Sequence, residues 1–209
     1  MVSRITVAMV VLAILTSACG PRTQPRANDA QAASETSSPP GDAPSKSATS
    51  AGARQDPAFI GTVAPVQKTR SLRPYAARPV LRAVQADRGP GPGYDRVVFE
   101  FTGDSVPGYR VEYTTRPVQR CGSGDPVSVA GTGRLLVRFE PAQAHDEHGN
   151  PTPPLAARQS TPELTAVREM TLICDFEGQV EWVLGITAPA AYRVSELTGP
   201  ARVVLDVSW

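Results

Sequence analysis

The feature that most restricts the fold is a period-two alternation of apolar and polar side chains in residues 79–209. It is clearest in Arg96 to Phe101, Arg134 to Phe139 and Arg202 to Val207, where every second residue is Val, Leu or Phe. Successive side chains of a β-strand point to opposite faces, so this period places one face in a core and the other towards solvent. The stretch is also long enough for one hydrophobic core. We therefore predict an all-β domain.

Six further strands are predicted from runs rich in β-branched and aromatic residues. They are Val80 to Ala86, Tyr109 to Tyr113, Pro126 to Ala130, Val167 to Cys174, Gln179 to Leu184 and Tyr192 to Leu197. Clusters of Gly, Pro and Asp separate the runs and are typical of turns. About nine short strands at this spacing favour a β-sandwich. Proline recurs too often for much helix, and we expect about one helical turn, around Pro141 to Ala144.

The first eighteen residues predict export from the cytoplasm. Arg4 supplies a positive charge, and Ile5 to Leu15 is apolar apart from Thr6. Small residues follow, as a signal peptidase requires. The apolar run is too short to span a bilayer as a permanent helix. We predict that residues 1–18 are a signal peptide.

The end of this signal carries a cysteine in a specific context. Leu15 to Gly20 resembles the lipobox of bacterial lipoproteins, in which the cysteine is acylated and becomes the mature N-terminus. Thr16 stands where an aliphatic residue is usual. The resemblance implies that Cys19 is the lipid attachment site and that the protein is anchored to the extracytoplasmic face of the cell membrane. An ordinary secretory signal with a chance cysteine is the alternative.

The segment after the cysteine cannot form a core. From Gly20 to Ala58 there is no Val, Ile, Leu, Met, Phe, Tyr or Trp. Without apolar side chains to bury, nothing offsets the entropy lost on ordering the backbone. We predict that residues 19–58 form a disordered, lipid-anchored tether. A coil of that length has a root-mean-square reach of about 35 Å.

A basic stretch, 59–78, separates the tether from the domain. Its four cations, with no acidic residue, are Lys68, Arg70, Arg73 and Arg78. The domain that follows has 12 Arg and 16 Asp or Glu. A solvated basic linker is the favoured interpretation, and contact with anionic lipid or wall polymers is the alternative. Because no basic face is interleaved with aromatic residues, we do not expect a nucleic-acid partner.

The chain has three cysteines. If Cys19 carries the lipid, Cys121 and Cys174 remain, and a pair outside the cytoplasm tends to oxidise. We expect a disulfide that ties a loop to the sheet. Two free thiols, in the core or at a catalytic site, are the alternative.

Motifs for catalysis and metal binding are scarce. Gly103 to Ser105 superficially resembles an esterase block but lies where a hairpin turn is expected. His145 and His148, the two histidines, lie with two carboxylates in Ala144 to Asn150. This group could ligate zinc or serve as a binding loop, but a solvated turn is the favoured interpretation. We predict no enzyme activity, no cofactor and no metal.

Two strand patterns echo each other. Arg96 to Phe101 and Arg202 to Val207 share the order basic, Val, Val, large apolar, acidic, apolar. We interpret the echo as a sign of two pseudo-symmetric sheets or halves. Alternation places Arg96, Glu100, Arg202 and Asp206 on the face away from the core.

The echo and other blocks carry a family resemblance. Residues 79–209 resemble the AMIN domains of exported bacterial envelope proteins, and more closely the AMIN-like domain of lipoproteins from high-GC Gram-positive bacteria. The blocks that carry it are Gly93 to Phe101, Pro107 to Tyr113, Ala144 to Asp146 and Arg202 to Val207. The resemblance implies a β-sandwich that binds or localises to peptidoglycan, an associated polymer or a wall partner without catalysis. No amidase domain accompanies it in this sequence.

Exposed Tyr, Trp and Arg suit sugars and carboxylates, and we predict a ligand-binding role for Arg96, Glu100, Tyr109, Arg202 and Asp206. The outward Arg and acid side chains could instead pair across strands and hold the sheet, which is the favoured interpretation. Two other functions stay open. The protein could bind an envelope protein, for example by addition to an edge strand, or it could be a hydrolase.

Overall fold

The computed structural model describes residues 58–71 and 77–209. The predicted signal peptide, Cys19 and the tether up to residue 57 lie outside the described residues. Within the described ranges, no helix is long and apolar enough to cross a membrane.

Twelve strands and one short helix make up the described part of the chain. They are β1 (Val66–Lys68), β2 (Leu81–Arg88), β3 (Tyr94–Phe101), β4 (Gly108–Tyr113), β5 (Val118–Gln119), β6 (Pro126–Val127), β7 (Gly133–Glu140), α1 (Leu155–Arg158), β8 (Gln159–Ser160), β9 (Val167–Phe176), β10 (Gln179–Ile186), β11 (Tyr192–Leu197) and β12 (Ala201–Ser208). All nine predicted strands are present, although the one at Pro126 is shorter than expected. The short strands β1, β5 and β8 were not predicted.

The strands form two main antiparallel sheets and a hairpin. The large sheet has the order β1-β4-β7-β10-β9-β8, and the small sheet has the order β11-β12-β3-β2. Strands β5 and β6 pair with each other. The prediction of an all-β sandwich is confirmed.

The helical turn expected at Pro141 to Ala144 is wrong. Gln143 instead bridges Val80 in parallel, and its carbonyl oxygen accepts a hydrogen bond from the Leu81 amide at 2.8 Å. The neighbours Ala142 and Ala144 are buried. The segment is extended because its backbone pairs with the start of β2, and that pairing overrides local preference.

The alternating residues fill the space between the sheets as predicted. Val97, Phe99 and Phe101 of β3 are fully or almost fully buried, and so are their counterparts on β12, Val203, Leu205 and Val207. From the large sheet, Phe139 packs against Phe99 and Phe101 with ring centroids 4.9 and 5.0 Å apart. The ring centroids of Phe99 and the buried Trp182 are 5.9 Å apart, and the two rings are in an edge-to-face arrangement. Such tilted aromatic pairs add to the free energy gained by burial.

The two echoing segments do not belong to separate sheets. Strands β3 and β12 lie side by side in the small sheet, in a register that sets Val98 opposite Val204 and Arg96 opposite Asp206. An antiparallel pair aligns the basic end of one segment with the acidic end of the other. The echo therefore belongs to two strands that pair within one sheet, where Arg96 forms an ion pair with Asp206, and the interpretation as two pseudo-symmetric sheets or halves is wrong.

Residues 58–71, which we call the strap, close one open edge of the sandwich. The backbone groups of Thr62 and Tyr192, in β11 of the small sheet, exchange two hydrogen bonds of 2.8 Å. A few residues later β1 pairs with β4 of the large sheet. The Tyr192 hydroxyl lies 2.7 Å from the carbonyl oxygens of both Ala64 and Val111, and burial raises its pKa to about 12. This part of the stretch predicted as a basic linker is thus integral to the fold.

Two cations of the strap complete the closure. Lys68 and Arg70 contact the two oxygens of Glu196, on β11, at 2.9 and 2.7 Å. Burial alone would raise the pKa of Glu196, but the hydrogen bond from Lys68 and the charges of both cations outweigh it and lower the pKa below its ordinary value. The cations predicted to be solvated thus link the strap to the small sheet.

A disulfide between Cys121 and Cys174 holds the β5–β6 hairpin on the outer side of the large sheet. The Cys121 amide also donates to the Ile173 carbonyl at 3.1 Å. A second small apolar cluster lies under the hairpin, formed by Val118, Ile173 and Val183. The expected pairing is confirmed, and the covalent tie joins β9 to a loop with little apolar surface of its own.

We predict that changing both Cys121 and Cys174 to Ala lowers the free energy of unfolding by about 2–5 kcal/mol, since the bridge closes a long loop in the unfolded chain. Urea denaturation of a chain beginning at Ala58 measures this. Ser128→Ala, an exposed change in the same hairpin region, is the control and should stay within about 0.5 kcal/mol. Two titratable thiols in the native, air-exposed parent protein would contradict the assignment.

Candidate binding face

The outer surface of the small sheet brings together four of the predicted site residues. We call this surface the small-sheet face. It consists of Arg96, Val98 and Glu100 on β3, Arg202, Val204 and Asp206 on β12, Arg193, Ser195 and Leu197 on β11, and Ala83, Gln85 and Asp87 on β2. These side chains point outward because their neighbours in each strand fill the core.

A buried carboxylate organises one end of the small-sheet face. Asp206 lies directly between Arg193 and Arg96 in the register of three adjacent strands. Arg96 donates to its two carboxylate oxygens at 2.7 and 2.9 Å, and Arg193 donates at 2.8 Å. The side chain of Asp206 is only 2% exposed. Hydrogen bonding to Asp206 raises the pKa of Arg96 above its ordinary value. This arrangement fits the pairing role considered for Arg96 and Asp206.

Aromatic rings flank the same end. The Arg193 guanidinium lies 4.7 Å from the ring centroid of Phe59 and 4.8 Å from that of Tyr94. The two rings are themselves 5.5 Å apart. Guanidinium groups over aromatic faces at this distance are attracted by the ring quadrupole. Phe59 belongs to the strap, so strap and sheet build this end of the face together.

Trp209 follows β12, and its indole is held by an inward-facing residue, Asp95, so it does not belong to the small-sheet face. Its indole nitrogen donates to Asp95 at 3.1 Å, and its amide donates to the Gly93 carbonyl at 3.0 Å. Asp95 is fully buried and also accepts hydrogen bonds from the amides of Ala166 and Val167. The tryptophan is therefore fixed in orientation while 54% of it stays exposed.

The opposite end of the small-sheet face carries two opposite charges that are adjacent but do not form an ion pair. Arg202 and Glu100 are direct partners in the register, yet within the described residues neither has an ion-pair partner. Arg202 makes one long contact, from Nε to the Pro200 carbonyl oxygen at 3.4 Å. Leu197, beside Arg202 on β11, is 42% exposed. This end can offer a cation, an anion and an apolar patch to a ligand.

Tyr109 does not join the small-sheet face. It points into the sandwich from β4, where it is 9% exposed and opposes Phe139 of β7. Burial raises its pKa, and the nearby Glu196 raises it further. Its position follows the alternation of β4, which also buries Val111. Tyr109 lines a separate groove beside the strap, and its ligand contact stays a prediction.

The histidine segment is an ordered turn. The Nδ1 atom of His145 lies 2.9 Å from a carboxylate oxygen of Asp175, whose other oxygen accepts a hydrogen bond from the Ala144 amide. Asp146 accepts hydrogen bonds from the amides of His148 and Asn150, and its hydrogen bonds with Asn150 lower its pKa. In the ranges that the structure covers, no group of three His, Cys, Asp or Glu side chains is placed to hold a metal ion.

Sequence reasoning missed Arg193, Phe59 and Trp209. Arg193 is in a predicted strand, and its outward position could have been read from the alternation of β11. Phe59 and Trp209 lie outside any alternating run, and a tertiary contact alone brings Phe59 to the face, whereas Trp209 is held beside Asp95.

The fold is an antiparallel sandwich of two sheets, closed at one edge by a strap. Residues 80–209 match the family model described as the AMIN-like domain, and the chain belongs to this family. The match starts after the strap, so Phe59, Lys68 and Arg70 lie outside it. No curated protein and no solved structure matches the chain.

Proposed function

We propose that this protein is a lipoprotein, anchored through Cys19 on the outer side of the cell membrane, whose AMIN-like domain binds cell-wall material without catalysis. Family membership supports this, since an AMIN-like domain is consistent with a role at the cell envelope. The apolar-free tether adds a reach of about 35 Å, which suits a domain that contacts the wall from the membrane.

One observation carries the choice of surface. The small-sheet face has a charge pair without ion-pair partners among the described residues, Arg202 and Glu100, at one end and the half-buried ring of Phe59 at the other. From Tyr94 to Glu100 the face runs for about 20 Å along β3, at about 3.3 Å per residue. Guanidinium forks bind carboxylates, and flat aromatic faces stack on sugars. Peptidoglycan presents both groups, as peptide stems on a glycan.

The arginines of the small-sheet face differ in how many of their donors are already hydrogen-bonded. Arg96 and Arg193 are held by Asp206 and mainly shape the surface. Arg202 is partly exposed and makes one long hydrogen bond, so its donors are available to a ligand. Removing the Arg202 guanidinium should therefore weaken wall binding but have little effect on the stability of the fold.

A wall-retention assay tests the proposal. We predict that the full-length protein, purified in detergent, sediments with insoluble wall, and that Arg202→Gln reduces the retained fraction several-fold with an unchanged melting temperature. Arg134→Gln, at an exposed arginine on the outer side of the large sheet, is the matched control and should be retained like the parent. Failure of the parent to sediment, or equal retention of both variants, would contradict wall binding by this face.

The membrane anchor is tested separately. We predict that Cys19→Ala abolishes metabolic labelling with a fatty acid and moves the protein from the membrane fraction to the medium, or leaves an uncleaved precursor. The change removes the acylated sulfur and leaves the apolar run intact. An unlabelled parent protein with the same fractionation as the variant would contradict the anchor.

A second candidate function is binding of an envelope protein. The strand β2 is an edge of the small sheet, and in the described residues its backbone pairs with β3 and, at its start, with the loop at Gln143. An extended segment of a partner could add to the rest of this edge. Exposed Asp87 and Arg88 at the far end are of the kind that discourages unspecific pairing. Cross-linking in cells would distinguish this function from wall retention.

A further inference from the structure

A groove opens at the edge of the large sheet, where the strap passes the ends of β4 and β7. Its volume is about 310 Å³. The lining includes the cations Lys68, Arg70, Arg110 and Arg138, and one carboxylate, Glu140. The groove is on a different sheet from the small-sheet face, and nothing in the proposed function uses it.

Two of these arginines face each other directly. Arg110 on β4 and Arg138 on β7 are partners in the antiparallel register, on the same side of the sheet. Like charges in such a position repel, so the arrangement is unfavourable unless anions compensate it. Glu112 compensates Arg110 through two hydrogen bonds of 2.7 and 2.6 Å, and Gln67 accepts a third at 2.7 Å. Arg110 is thereby held in place.

The guanidinium of Arg138 makes fewer hydrogen bonds than that of Arg110. Within the described residues its guanidinium makes one hydrogen bond, from Nη2 to Glu181, at 3.3 Å. Its Nε atom is buried without a hydrogen-bond partner. Nearly half of the side chain is exposed, so the remaining donors can reach a ligand in the groove. An arginine offers five donors in a fixed fork, and most of those on Arg138 are unused.

Arg70, on the strap, also has a buried Nε donor without a hydrogen-bond partner in the described part of the chain. Its Nη2 donates to Glu196 at 2.7 Å. Among the residues that the structure describes, the two arginines whose buried Nε atoms have no hydrogen-bond partner both line this groove. A buried donor without an acceptor is unfavourable, so the protein's own acceptors leave both guanidinium groups partly unsatisfied.

The charges on the lining favour an anion. Four cations and one carboxylate give the lining residues a formal charge of +3 before their three carboxylate partners outside the groove are counted. The carboxylates that pair with these cations, Glu112, Glu181 and Glu196, are outside the lining and fix the cations in position. Gly108 allows the backbones of the strap and β7 to come close together beside the groove, since a Cβ there would be 2.5 Å from the Glu140 carbonyl oxygen and 2.9 Å from the Arg70 backbone nitrogen.

We propose that this groove binds an oxyanion, a phosphate or a carboxylate, chiefly through the guanidinium groups of Arg70 and Arg138. The volume is at the lower end of the range for ligand pockets, which fits a single phosphate group or one acidic sugar. Guanidinium forks recognise both anions by paired hydrogen bonds. A phosphate would come from a phosphodiester polymer, and a carboxylate from a uronic acid or a peptide stem.

NMR titration of the full-length protein in a non-ionic detergent tests the groove, with the Gly108 amide as reporter. Inorganic phosphate is the probe in one arm and D-glucuronate in the other, with glucose as the neutral control. We expect saturable binding in the millimolar range or tighter for at least one anion, weakening as salt is added. Tighter binding of phosphate would indicate a phosphodiester source, and tighter binding of glucuronate a carboxylate source.

Arg138→Gln should weaken binding at least about fivefold, since it removes the least satisfied guanidinium. Arg134→Gln, on the same strand and the same side but outside the groove, should bind like the parent. If Arg138→Gln does not fold, Arg70→Gln takes its place. The proposal is overturned if the parent shows no saturable shift up to about 50 mM of either anion, or if Arg138→Gln binds as tightly as Arg134→Gln. The wall-retention assay with Arg202→Gln is a separate experiment, and its result does not affect the interpretation of the titration.

Discussion

The closure of the sandwich edge by the strap is the interaction on which both candidate sites depend. Two sheets packed face to face leave edge strands whose backbone groups need partners. Here one segment serves both edges, since the strap bonds to Tyr192 of the small sheet and then pairs with β4 of the large one. The Tyr192 hydroxyl joins these two contacts, because it is 2.7 Å from carbonyl oxygens of both the strap and β4.

The strap also contributes side chains to each site. Phe59 flanks Arg193 on the small-sheet face, whereas Lys68 and Arg70 line the groove on the large sheet. All three residues precede the AMIN-like match, which begins at residue 80. In this protein the family core supplies the sandwich and most of the charged framework, and the preceding segment completes both surfaces. The segment that precedes the family match is therefore a structural element of the domain.

Sequence patterns predicted the sheet content well because period-two burial is a local property. The inner positions of β3 and β12 could be read from the sequence, and so could the outward placement of Arg96 and Arg202. Strand order is a non-local property, which is why the echoing strands were assigned to separate halves although they pair directly. The strap was missed for the same reason. Its strand has three residues, and its partners Tyr192 and β4 are distant in sequence.

Hydrogen exchange at the Thr62 amide tests the role of the strap most directly. This amide donates to the Tyr192 carbonyl at 2.8 Å, and no flanking secondary structure within the strap would protect it otherwise. In the full-length protein, we expect the Thr62 amide to exchange at least about a hundredfold more slowly than in an unstructured peptide. Such protection is typical of a strand whose hydrogen bonds break only when the domain unfolds. Exchange of Thr62 at the rate of an unstructured peptide, with the core of β3 and β12 still protected, would contradict it.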